Sequence, residues 1–104
     1  MKLYYQNQTI NIINCTSFLS RLKGFMFQKN INHALLFNKC NSIHTFFMKE
    51  CIDVIMCDKD NKILFYYQNH PKNKIIWPKK GVTKVIETPP SYFPIKINTY
   101  LKMK

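Results

Sequence analysis

The sequence predicts a compact, mainly β domain: a jelly-roll-like sandwich or partly open barrel of about seven or eight strands, with one short amphipathic helix near the N-terminus. Three observations carry that expectation. Short apolar runs recur along the chain, each bounded by clusters of Asn, Asp, Lys or Pro. Only the stretch from Ser17 to Phe27 spaces its apolar residues at helical intervals. The 104 residues, 46% hydrophobic and 14% aromatic, suffice for one core and leave no stretch long enough to be an interdomain linker, so a single domain over residues 1–104 is expected.

Met1 to Tyr5 and Thr9 to Asn14 read as two strands joined by a polar turn at Gln6-Asn7-Gln8. Thr16 or Ser17 can then cap a helix whose apolar face is Phe18, Leu19, Leu22, Phe25 and Met26, with Ser20, Arg21 and Lys23 outside. Gly24 either ends that helix in a left-handed conformation or admits the close approach of another backbone. Further strands are expected at His33 to Phe37, Ile43 to Met48, Ile52 to Cys57 and Ile63 to Tyr67, the last two joined as a hairpin through the turn-forming Asp58-Lys59-Asp60-Asn61. His70-Pro71-Lys72-Asn73-Lys74 is a surface connector, because proline cannot donate to a central ladder. Ile75 to Trp77, Val82 to Thr88 and Ile95 to Leu101 complete the set.

The net charge of +11 invites a nucleic-acid reading, since lysines that neutralise phosphates release counterions. Only Arg21 among the sixteen basic residues is arginine, however, and geometric recognition of bases favours the guanidinium fork. Nucleic acid is therefore disfavoured as a partner. No stretch approaches the roughly 18 to 20 apolar residues of a membrane span, and Met1-Lys2-Leu3 leads into polar residues rather than a signal region. The expectation is a cytoplasmic protein with free thiols at Cys15, Cys40, Cys51 and Cys57, none of them in a CxxC pair.

Cys40, His44, Cys51 and Cys57 gather in one stretch, but Cys51 and Cys57 are separated by a strand-like run that sends their sulfurs apart. No metal site is expected there. No glycine-rich phosphate loop can be built from Gly24 and Gly81, and no cofactor is expected. The carboxylates say more. Asp53 lies in a run apolar on both faces and Glu87 at the end of another, so each needs a partner or an edge. His44, Asp53 and Glu87 are the candidate polar cluster, either structural or lining a small pocket at a barrel end.

The order of RLKGFM (Arg21 to Met26), ALLF (Ala34 to Phe37), IHTFFM (Ile43 to Met48), IDVIMCDKDNKIL (Ile52 to Leu64) and VIETP (Val85 to Pro89) resembles the family called domain of unknown function 192, small proteins of bacteria and archaea. The resemblance implies a mainly β fold and no established reaction, and it marks Arg21, Gly24, Met26, Met48, Asp53 and Glu87 as signature positions. CNSIHTFFM looks like the variant of Gram-positive members, while PPSYFP replaces the glycine-bearing segment usual after the glutamate. Function is left between three readings. The first is a non-catalytic domain that binds a small ligand or a protein near His44, Asp53 and Glu87. The second is an enzyme using His44 and Asp53 as acid and base with Cys40 or Cys51 as nucleophile, and the third is a lysine-driven binder of nucleic acid or an acidic partner.

Overall fold

The structure is a computed structural model that describes residues 1–104, apart from the side chain of Phe18. Nine strands and one helix follow in order: β1 (Lys2–Tyr5), β2 (Gln8–Asn14), α1 (Phe18–Lys23), β3 (Ala34–Asn38), β4 (Ile43–His44), β5 (Ile52–Cys57), β6 (Ile63–His70), β7 (Ile75–Ile76), β8 (Lys84–Thr88) and β9 (Lys102–Met103). Seven of the strands form one sheet in the order β6-β5-β8-β3-β2-β1-β9, and β4 pairs with β7 separately. Within the large sheet β2 and β3 run parallel, so the connection between them must cross over, and it carries α1.

The sheet curls into a half-barrel. Its ends approach where the Ile63 N–H donates to the Thr99 carbonyl at 2.8 Å and the Leu101 N–H to the Asn61 carbonyl at 3.0 Å, just before β9 joins β1. The barrel interior holds Leu3, Tyr5, Ile10, Ile12, Leu36, Ile55, Cys57, Ile63, Ile86 and Phe93. A second core lies on the outer face of β3, β5 and β8, where Leu35, Phe37, Val54, Met56 and Val85 are covered by Phe25, Met48 and Ile76. That double burial explains the continuous apolar runs of β3 and β5: a strand covered on both faces has no solvent side to mark. Each fully buried Ile or Val there contributes roughly 1.5–3 kcal/mol relative to exposure.

Strand β6 runs on to His70 and β8 begins at Lys84, and three elements differ more from expectation. The helix ends at Lys23 rather than Phe27, with Ser17 and Ser20 forming a reciprocal capping box and Gly24 closing it at φ 49°. With so short a helix, Phe25 falls in the following loop, where it is buried, while Leu19 and Leu22 are 73% and 52% exposed. The strand expected over Ile43 to Met48 stops at His44, because Phe47 takes φ 61° and the chain turns back so that Met48 bridges Met26. The last strand lies at Lys102–Met103, since Asn98 adopts φ 70° and breaks the alternating stretch before it. No helix among the described residues is long and apolar enough to cross a membrane.

Candidate functional site

Strand β8 is flanked by β5 and β3, so its side chains alternate between the two cores. Ile86 and Thr88 turn inward, Val85 and Glu87 outward. Glu87 pairs in register with Leu35 on one side and Val54 on the other, both apolar. Its residue is only 3% exposed and its Oε1 has no hydrogen-bond partner among the described residues. Burial pushes the Glu87 carboxyl up to about 8, so at neutral pH it is largely protonated.

Gly24 makes room for that carboxyl. A Cβ at this position would stand 3.2 Å from Glu87 Oε1 and 3.7 Å from the edge of the Phe37 ring, and the backbone there has positive φ. The glycine thus does both jobs considered for it, ending the helix and admitting a close approach, though what approaches is a side chain rather than a backbone. Between α1, the loop after it and the β3–β4 connection lies a cavity of about 130 Å³, lined among others by Arg21, Lys23, Gly24, Phe37, Cys40, His44, Met48 and Glu87. A void of roughly this size accommodates a benzene-sized molecule. Its walls are mostly apolar, with the carboxyl inside and two cationic side chains contributed by α1.

His44 reaches the cavity from β4 and stacks on Phe46 at 5.1 Å between ring centroids, its Nδ1 accepting from the Phe46 N–H at 3.2 Å. The Cys40 thiol donates to the Ser42 carbonyl at 3.1 Å. Cys15 is buried in the same outer core, and burial, followed by the charge of nearby Glu87, pushes its thiol up. Cys57 instead faces the barrel interior, where burial pushes it up to about 12. Cys40 and Cys57 therefore belong to opposite sides of the sheet.

Asp53 belongs with Cys57. It pairs with Thr88 on the inner face, one residue out of phase with the Val54–Glu87 pair, so the two buried carboxylates point to opposite sides of the sheet. The β6 strand is bulged opposite it, with Asn69 at φ 51°. The bulge frees the Asn69 N–H to donate to Asp53 Oδ1 at 2.8 Å, while the Tyr66 hydroxyl and the Ser91 N–H donate to Oδ2 at 2.6 and 2.9 Å. Burial and the bond to Asp53 in turn hold the Tyr66 phenol well above its ordinary range.

His44 and Glu87 are thus brought to one cavity, and Asp53 is not. Arg21, Gly24 and Met48 line the same cavity, and Met26 is tied to it through the Met48 bridge. Cys40, weighed from sequence as a ligand and a nucleophile, also lines it, as do Lys23, Phe37 and Ser42, which sequence did not mark as site residues. The one available signal was Gly24 interrupting a helical pattern three residues after a lone arginine.

The family model described as "Uncharacterized ACR", domain of unknown function 192, matches residues 2–99. A UPF0127 protein of Thermococcus kodakarensis is 39% identical over 79 residues, which are 70% of this chain and 50% of that protein. Its counterpart in Thermococcus gammatolerans is 38% identical over 79 residues, covering 70% and 51%. The chain therefore spans about half the length of these relatives. Both are archaeal, and the Gram-positive character expected of the Cys40 to Met48 stretch finds no support in them. Among solved structures, a protein of unknown function from Novosphingobium aromaticivorans matches 98% of this chain and 82% of its own, with a TM-score of 0.78 at 14% identity. A protein titled "putative transcription regulator" from Sinorhizobium meliloti matches 97% and 89%, with the same TM-score at 15% identity. Both likenesses are of fold alone.

Proposed function

The chain belongs to the domain of unknown function 192 family, whose function is not characterised, and from the site itself we propose that it is a non-catalytic small-molecule binding domain. The ligand seats at the cavity beside Glu87. The observation that carries this reading is the orphaned Glu87 Oε1: a buried polar atom without a partner costs roughly 1–3 kcal/mol, a cost that a ligand's hydrogen bond would offset. A cavity of about 130 Å³ suits a small compound of a few heavy atoms, with a hydrogen-bonding end at Glu87 and an anionic end toward Arg21 and Lys23. Binding rather than catalysis fits the neighbours. The Cys40 thiol is engaged by a carbonyl, and His44 accepts a backbone N–H and has Asp53 on the far side of the sheet. Four free cysteines fit a reducing, cytoplasmic setting.

The test is a ¹⁵N amide titration with a panel of polar fragments comparable in size to benzene. At least one should shift the Gly24, Phe25, His44 and Glu87 amides together, and bind at least about tenfold more weakly to Glu87→Leu. A panel in which nothing shifts these amides, or in which binders ignore the substitution, overturns the reading.

A further inference from the structure

Most residues with positive φ are ones that tolerate it, chiefly asparagine, but Phe27 (φ 65°) and Phe47 (φ 61°) are bulky and apolar. These same two side chains are 60% and 61% exposed and stack on each other at 5.6 Å between ring centroids. Two aromatic residues are thus kept at the surface on strained backbone, where asparagine would be easier to hold. The patch extends from them. Phe46, next to Phe47, stacks on His44, and His44 pairs with the exposed Ile75 across β4 and β7. Leu22 shares the cavity wall with His44, and Leu19 lies one turn back along α1. Lys23, Lys49, Lys72 and Lys74, all exposed, are interleaved on the same segments.

From this juxtaposition we infer that the face around Phe27 and Phe47 docks on an anionic phospholipid surface. Apolar side chains enter the headgroup boundary while lysines, with long apolar stems, meet lipid phosphates. A second copy of the chain would bring another +11 charge against the first. Single-stranded nucleic acid would need free aromatic faces, whereas Phe27 and Phe47 already stack on each other and the rest of the patch includes aliphatic Leu19, Leu22 and Ile75.

The experiment is co-sedimentation with phosphatidylcholine vesicles containing about one-third phosphatidylglycerol at low salt, beside pure phosphatidylcholine and poly-uridine. The wild type should bind the anionic vesicles at least about tenfold more tightly than neutral ones and release as salt is raised. The double variant Phe27→Asn, Phe47→Asn should lose at least about tenfold in vesicle binding while its thermal midpoint stays equal or rises, because asparagine relieves the strain. Leu19→Ser, on an exposed helical position, should weaken binding without altering the circular dichroism spectrum. The inference is overturned by absence of binding to anionic vesicles, by undiminished binding of both variants, by stronger retention on poly-uridine, or by self-association that the same substitutions abolish.

Discussion

Asp53 and Glu87 sit on adjacent strands of one sheet, at neighbouring register positions, and both are almost wholly buried. One is surrounded by three donors, the other has an oxygen with none among the described residues. Burial alone therefore does not distinguish a structural carboxylate from one free to serve a ligand; the arrangement of its donors does. At Asp53 the chain builds a bulge and a turn around the charge. At Glu87 it removes a side chain at Gly24 and leaves a cavity.

Removing each carboxyl should sharpen this contrast. Asp53→Ala strands the Tyr66 hydroxyl and two backbone N–H groups, and is expected to lower stability by about 3–5 kcal/mol in urea unfolding. Glu87→Gln should act in the opposite direction as pH rises. A carboxyl held at about 8 in the fold and near 4.5 when unfolded binds more protons in the native state between those values. Stability is accordingly lost as pH climbs through that window, and the wild type should fall on the order of 4 kcal/mol relative to the variant between pH 5 and pH 8. Equal pH slopes for the two proteins would break the contrast.

A smaller effect is expected at Gly24→Ala, which forces positive φ on an L residue and sets a Cβ against the carboxyl, at roughly 1–3 kcal/mol. In the Glu87→Ala background the steric share should disappear and only the backbone share remain, so the two costs should be non-additive. Smallest of all, thiol titration of the native protein near pH 8 should leave Cys57 unreacted while the more accessible Cys40 and Cys51 react.

Much of the fold was legible because period and punctuation survive in sequence: the β5–β6 hairpin, the opening ribbon and the run at Ala34 to Phe37 all declare themselves. What failed was the extent of the helix, of β4 and of the last strand. Helical spacing continued through Phe25 and Met26 although Gly24 had already stopped the helix, and nothing local announced that Phe47 would take positive φ. The site was half legible. That Asp53 and Glu87 are costly can be read from their apolar neighbours in sequence, and a structural role for Asp53 is one of the two readings the residues allow. Its actual partners, Tyr66, Asn69 and Ser91, depend on a bulge and a turn formed only when distant strands meet. Likewise the opposite facing of the two carboxylates follows from the β5–β8 register, a pairing across more than thirty residues that no local pattern encodes.

Glu87 Oε1 has no hydrogen-bond partner among the described residues, and burial holds its carboxyl largely protonated beside the cavity. The most direct measurement is the ¹³C shift of its side-chain carboxyl followed by NMR from pH 4 to pH 9. A titration midpoint near 8 is expected; a midpoint near the ordinary glutamate value of about 4.3 would mean that the carboxyl is solvated or paired and that burial does not hold it protonated.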